Sequence, residues 1–158
     1  MPDIQAVAAQ TCFLIVVRDP LSYIVSAHAR QVFRKNGEWD ETRIMPHHLG
    51  GDFSRLSLAE KIAWHWVAIN RYLLDFVEFH NAVAKVVVLR DLVPDPPKWA
   101  AFVGTTIKDP GALTRFLEQR PNASATRELP QGYEPGHLEE ICHQEWHRAQ
   151  RLASREVT

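Results

Sequence analysis

The sequence predicts an α/β fold in which a few parallel strands are flanked by helices. Two short runs, Phe13 to Val17 and Val83 to Leu89, consist almost entirely of apolar and β-branched residues, which is typical of strands buried on both faces of a parallel sheet. Helical periodicity occupies much of the chain between and after these runs. With a length of 158 residues, the whole chain, residues 1–158, is expected to form a single domain.

The composition argues against several classes of protein. Lys and Arg total 18 against 19 Asp and Glu, a formal net charge of −1, whereas nucleic-acid and anionic-membrane binders usually carry a basic excess. We therefore expect neither nucleic acid nor membrane as a partner. The first ten residues lack the positive charge of a secretion signal, and the run at residues 12–17 is too short to span a bilayer. Two cysteines in unrelated contexts indicate a reducing, cytoplasmic location.

Local signals mark the first helix. Asp19 is a suitable N-cap, and Pro20 suits the first helical position. The helix is expected to run to about Arg34, before the turn signal of Asn36 and Gly37.

A long amphipathic helix is expected next. Ser57 and Glu60 form an S-x-x-E capping box at its start, and it is expected to end near His80. Trp66 belongs to its apolar face and is expected in the core, whereas Trp64 lies off that face and is expected to be the more exposed ring of the two. The apolar face repeats every three or four residues, at Leu58, Ile62, Trp66, Ile69, Leu73 and Phe76.

Three further helices are expected after the second strand. A short one begins at the PDPP sequence of residues 94–97 and ends near Gly104. A second one is capped by Asp109 and extends to about residue 120. An amphipathic helix over about residues 136–154 closes the chain.

Arg18 and Ser26 are the main candidate ligand-binding residues. Arg18 lies where a buried strand ends and a helix begins, which is the usual ligand side of an α/β sheet. A guanidinium there can hold a phosphate with two hydrogen bonds. Ser22, Ser26 and Arg30 share one face of the following helix, so the Ser26 hydroxyl could donate to the same phosphate. Alternatively, Arg18 pairs with a carboxylate and Ser26 bonds to its own helix.

The sequence R-D-P, with a serine eight residues after the arginine, resembles the 3′-phosphate-binding motif of sulfotransferases. These enzymes use 3′-phosphoadenosine-5′-phosphosulfate (PAPS). The resemblance implies a P-loop-NTPase-like fold in which Arg18 and Ser26 bind the 3′-phosphate. Weaker likenesses follow in the family's order over most of residues 11–150: LAEKIAWHWVAINRYL, KVVVLRDLVPDP, FVG at 102–104 and RPNAS at 120–124. The last of these would add Asn122 and Ser124 to the nucleotide site.

The chain departs from the family pattern in two places. Val88, Leu89 and Arg90 stand where the family's R-Y-E sequence would be expected. The 5′-phosphosulfate loop, which in the family reads like P-K-S-G-T-T, has no counterpart in the 17 residues before Arg18, and GTT at 104–106 follows the wrong strand. We therefore expect the C-terminal part of a sulfotransferase domain, with an N-terminal segment missing and with weak or no activity on its own.

The expected reaction is transfer of a sulfuryl group from PAPS to a hydroxyl or amine of a small-molecule or carbohydrate acceptor. The general base is unknown. His47 and His48 are weak candidates, because they lie in a loop, residues 36–56, that is long enough to be functional. A solvated pair of histidines is the plainer interpretation.

Two other interpretations stay open. The chain could be a non-catalytic sulfotransferase-like protein that binds a nucleotide or a partner and self-associates through exposed strand edges. It could also bind zinc through His143 and His147, which are spaced by one helical turn. The zinc-protease pattern needs Glu after the first His, and Gln144 holds that position. No metal site and no metal cofactor are therefore predicted.

Overall fold

The computed structural model describes residues 12–30, 55–79, 83–92, 94–118 and 128–155. These ranges contain two strands and six helices in the order β, α, α, β, α, α, α, α. The elements are β1 (Cys12–Val17), α1 (Pro20–Ala29), α2 (Leu58–Phe79), β2 (Val83–Val88), α3 (Leu89–Leu92), α4 (Pro96–Phe102), α5 (Pro110–Glu118) and α6 (Pro135–Ala153).

The two strands pair in parallel and in register. Cys12 of β1 faces Val83 of β2, and the pairing continues to Val17 and Val88. Within the described residues the sheet contains these two strands and is accompanied mainly by helices. The α/β class predicted from the two apolar runs is therefore confirmed.

The prediction that both strands are buried on both faces is wrong for β1. Ile15 and Val17 are buried, whereas Cys12 is exposed and the Val16 side chain is 41% exposed. Successive side chains of a strand point to opposite faces, so one face of β1 packs into the core while the other is partly open. Val86, Val87 and Val88 of β2 are all buried, as predicted.

The first helix starts as predicted and ends early. The Asp19 carboxylate accepts a hydrogen bond from the backbone N–H of Ser22 at 2.9 Å, and Pro20 occupies the first turn. Ala29 is the last helical residue, so the predicted end near Arg34 is wrong. Arg30 is the C-cap residue, and its N–H makes the last α-helical hydrogen bond, to the carbonyl of Ser26 at 3.1 Å.

The capping box of α2 is confirmed. The N–H of Ser57 donates to Oε2 of Glu60 at 2.7 Å, and the N–H of Glu60 donates to Oγ of Ser57 at 3.3 Å. Trp66 is 1% exposed, as the apolar periodicity predicts. Trp64 is half-buried, so it is the more exposed of the two rings, as predicted.

After β2, helices α4 and α5 begin where the sequence predicts, and one short helix, α3, was not predicted. Leu89 begins the helical turn α3, where a continued strand was predicted. Asp95 and Asp109 cap α4 and α5 by accepting from the backbone N–H groups of Lys98 and Ala112, at 3.3 and 2.8 Å. Gly104 has a φ of +73° just beyond α4, the left-handed conformation that commonly follows a helix end.

The described residues fall into two compact units. The first draws on the ranges 1–18, 73–123 and 149–158, and the second on 19–72 and 124–148. Because the chain enters each unit more than once, neither corresponds to a separate stretch of sequence. The single domain stays a prediction. Within the described ranges, no helix combines the length and apolar character needed to cross a membrane.

Candidate functional site

Arg18 lies at the carboxyl end of the sheet. It directly follows Val17, the last residue of β1, which pairs with Val88, the last residue of β2. Its side chain is half-buried. Ligands of open α/β sheets bind outside the carboxyl ends of the strands, so Arg18 occupies the position from which a bound anion would be contacted.

Ser26 lies in α1, and its side chain is half-buried. Ser22 is one turn earlier on the same face and is exposed. The first turn of α1 is closed by the Asp19 carboxylate, which accepts from the N–H of Ser22. The chain between Arg18 and Ser26 is thus a capped helix, as the sequence predicts.

Cys142 of α6 is an inert group near the start of α1. Burial, followed by the negative charge of Asp19, raises the pKa of the Cys142 thiol to about 12. Its Sγ lies 3.9 Å from the carbonyl oxygen of Ala63 in α2. The thiolate is the nucleophilic form of cysteine, so the raised pKa disfavours a nucleophilic role for Cys142.

A polar pair of the half-buried Tyr23 and the buried His65 was not anticipated from the sequence. The Tyr23 hydroxyl oxygen and Nδ1 of His65 are 2.9 Å apart and share a hydrogen bond whose donor depends on the histidine tautomer. The two rings are stacked with centroids 6.3 Å apart, and His65 is buried. No local signal could have linked them, because they are 42 residues apart. A phenol bonded to an imidazole can position or relay a proton.

An apolar pocket of about 300 Å³ lies in the first unit. One of its walls is Leu89, which directly follows β2, so the pocket and Arg18 are at the same end of the sheet. Its aromatic wall is Trp99, whose Nε1 donates to the carbonyl of Asp91 at 3.3 Å. The ammonium of Lys98 lies 5.0 Å from the centroid of the Trp99 ring. The pocket is lined by Leu14, Leu89, Leu92, Pro96, Trp99, Ala100, Val103 and Leu113.

The remaining predicted site residues cannot be placed beside these features. His47, His48, Asn122 and Ser124 all lie outside the described residues. In the described ranges, no group of three or more His, Cys, Asp or Glu side chains is arranged to hold a metal ion.

Comparison with protein-family models finds no match for this chain. Comparison with curated proteins and with solved structures finds no match either. The likeness to sulfotransferases therefore depends on short sequence motifs alone.

Proposed function

We propose that this chain is a PAPS-dependent sulfotransferase-family protein in which Arg18 and Ser26 bind the 3′-phosphate of the donor. The observation that supports this function is the placement of Arg18 at the carboxyl end of a parallel strand, directly before the Asp19-capped helix that carries Ser26. A guanidinium stays charged at any physiological pH and offers two parallel donors to phosphate oxygens. A serine hydroxyl adds a third donor.

In the proposed reaction the sulfuryl group leaves the 5′-phosphate oxygen of PAPS and bonds to the oxygen or nitrogen of the acceptor. The acceptor proton passes to a general base, and 3′,5′-adenosine bisphosphate is released. Arg18 and Ser26 take no part in bond making. They hold the nucleotide in place, and such positioning is a large part of the rate enhancement in transfers of this type. His47 and His48 remain the proposed candidates for the base.

The apolar pocket suits the uncharged part of a small-molecule acceptor, while Arg18 holds the phosphate of the donor. Ligand sites in proteins are mostly apolar with a few placed polar groups, and the pocket shares the carboxyl end of the sheet with Arg18. The pocket is therefore proposed to hold the apolar portion of a small-molecule acceptor, while Arg18 and Ser26 hold the donor.

Calorimetric titration of the full chain with 3′,5′-adenosine bisphosphate tests the phosphate site, with 5′-AMP as the ligand that lacks the 3′-phosphate. We expect saturable binding of the bisphosphate and much weaker binding of 5′-AMP. Since a hydrogen bond to a charged group contributes about 1.5–3 kcal/mol, Arg18→Ala should weaken bisphosphate binding by roughly 10- to 150-fold. It should leave 5′-AMP binding unchanged.

Two matched variants on α1 serve as controls. Arg30→Ala removes an exposed guanidinium, and Ser22→Ala removes an exposed hydroxyl from the helix face that also carries Ser26. Both should retain binding, whereas Ser26→Ala should weaken it. A folded protein that binds neither nucleotide, or that binds both equally, would overturn the phosphate site. Sulfate transfer from PAPS to a panel of alcohols, phenols and amines then tests the enzymatic function itself.

A second function, a non-catalytic interaction protein, is favoured by the open surface of β1. Within the described residues β1 pairs only with β2, and Val16 on its open face is 41% exposed. An unpaired strand edge offers its backbone N–H and C=O groups to a second copy, and an exposed apolar side chain adds area that such a contact would bury. Sedimentation velocity over a range of concentrations separates the two functions. The second function is supported if the chain self-associates, if Val16→Lys abolishes this self-association, and if the chain binds no nucleotide.

A further inference from the structure

Two histidines form a contact pair on the exposed surface of α6. His143 and His147 are four residues apart, and their ring centroids are 4.3 Å apart with an interplanar angle of 65°. Both side chains are exposed. Residues four apart on a helix are neighbours on its surface, and exposed side chains can change rotamer, so one nitrogen of each imidazole can be turned toward the same small cation.

The backbone that carries the pair is held by the opposite side of α6. Leu138, Cys142 and Glu145 are buried. Trp146 packs edge-to-face on Trp66 of α2, with ring centroids 6.3 Å apart. Helix α6 therefore does not have to fold or reorient when the two histidines bind a ligand, and a site on a preorganised element loses less entropy on binding.

We propose that His143 and His147 form a two-imidazole site for a divalent transition-metal ion, with a preference for Cu²⁺ over Zn²⁺. Neutral imidazole is a favoured ligand of copper, nickel and zinc, and affinities for these ions rise to a maximum at copper. The exposed carboxylates of Glu139 and Glu140, on the preceding turn of the same helix, add a favourable field for a cation.

The neighbouring thiol does not belong to this site. Cys142 is buried and its Sγ faces the carbonyl of Ala63. The described residues offer no third His, Cys, Asp or Glu ligand beside the pair. The remaining coordination positions are therefore assigned to water, which makes the site exchangeable and distinct from a buried structural zinc site.

The test is calorimetric titration of the full chain with CuCl₂ in a non-coordinating buffer near neutral pH. Because the chain contains 8 histidines, the informative quantity is the difference between variants. His143→Ala and His147→Ala should each lose the same single equivalent of bound Cu²⁺. The control is His137→Ala, which removes another exposed histidine of α6. Four residues after His137 stands Ile141 and not a second histidine, so this variant should still bind the same equivalent of Cu²⁺.

Thermal unfolding gives a second readout, since an ion that binds only the folded state raises the melting temperature. The rise produced by Cu²⁺ should exceed that produced by Zn²⁺, and it should shrink in both His143→Ala and His147→Ala. Unchanged copper stoichiometry in both variants, or a loss from only one of them, would overturn the proposed site. Both side chains are exposed, so their removal should leave the circular dichroism spectrum unchanged.

Discussion

Nε of Arg71 lies 2.7 Å from Oε1 of Glu145, a pairing that ties α2 to α6 across 74 residues of sequence. Glu145 is 2% exposed, and its other oxygen lies 3.3 Å from a guanidinium nitrogen of Arg148. A carboxylate buried to this extent is tolerated because two guanidinium groups compensate its charge.

Replacing Arg71 by Met should destabilise the protein, because it leaves the buried Glu145 carboxylate with Arg148 as its remaining cation. Breaking a fully buried pair costs about 3–5 kcal/mol. Since Arg71 is partly exposed and Arg148 remains, we expect the free energy of unfolding to fall by about 2–3 kcal/mol. Urea unfolding followed by circular dichroism measures the loss.

The control for Arg71→Met is Arg151→Met on the same helix, α6. The Arg151 side chain is 63% exposed and lies 3.5 Å from Glu78, so its pair is a surface pair. Its loss should change the free energy of unfolding by less than about 1 kcal/mol. Equal effects of the two substitutions would contradict the role assigned to Glu145.

Two glycines with the same backbone conformation should respond differently to alanine. Gly132 has a φ of +76° and Gly104 a φ of +73°. A Cβ at Gly132 would overlap the side chain of Ser57, whereas a Cβ at Gly104 would meet nothing within 4 Å. Gly104→Ala should cost only the left-handed strain, about 1–2 kcal/mol. Gly132→Ala should cost more, because the overlap strikes the residue that caps α2.

Urea unfolding of the two glycine variants, compared with the unsubstituted chain, measures both costs. The Gly104→Ala value supplies the strain alone, so the excess in Gly132→Ala reports the contact with Ser57. Costs of the same size would show that the turn at Gly132 moves away from α2 without penalty.

Stability should fall in acid through Glu60. Hydrogen bonds from the Ser57 hydroxyl and then from the Ser57 backbone N–H hold the pKa of Glu60 below its ordinary value of 4.5. A carboxyl whose pKa is lower in the folded state contributes stability that is complete above the unfolded value and lost as the pH falls through the folded value. We expect this contribution to disappear below about pH 4.5 in the unsubstituted chain and to be missing in Glu60→Gln.

Ser57→Ala should raise the pKa of Glu60 toward its ordinary value and lower the free energy of unfolding by about 1 kcal/mol, the usual cost of losing a helix cap. An NMR titration of the Glu60 carboxyl group follows the pKa directly. Ser22→Ala, which removes an exposed hydroxyl from α1, should leave that pKa unchanged. A Glu60 titration that does not respond to Ser57→Ala would contradict the capping-box explanation.

The two cysteines should differ sharply in reactivity. Both are free thiols, but Cys12 is exposed and Cys142 is buried, with the pKa of Cys142 raised to about 12 by that burial. At pH 8, iodoacetamide should modify Cys12 in the native protein and leave Cys142 unmodified, because the thiolate is the nucleophile.

Mass spectrometry after proteolysis identifies the alkylated cysteine. Native Cys12→Ser protein should take up no label, and both thiols of the unsubstituted chain should react in denaturant. Labelling of Cys142 at the rate of Cys12 in the native protein would show that α6 does not shield it.

The helix starts were predictable because their determinants are local. Asp19, Ser57 and Asp109 each form their capping hydrogen bond with a residue three positions later. The apolar repeat of α2 likewise needs no knowledge of its neighbours to place Trp66 in the core. The same local information misjudged the end of α1 and the helical turn at Leu89, since strand and helix ends depend on competing interactions that short windows of sequence do not contain.

The candidate site likewise has one part that could be predicted from the sequence and one part that could not. Arg18 and Ser26 could be nominated from the sequence because the motif that contains them is short and continuous. The pairing of Tyr23 with His65 and the pocket beside Trp99 could not, because their members come from separate elements. The periodicity of one helix or strand does not indicate which side chains of another helix or strand its own side chains will contact.

The sequence by itself determined the α/β class and the helix caps, since these depend on hydrogen bonds and apolar spacing within a few residues, and it also supplied the residues of the proposed phosphate site. The tertiary structure alone decided that one face of β1 is partly open and that the buried Glu145 meets Arg71 from α2. Burial and charge pairing at these positions are properties of packed neighbours, and the chain brings those neighbours together only when it folds.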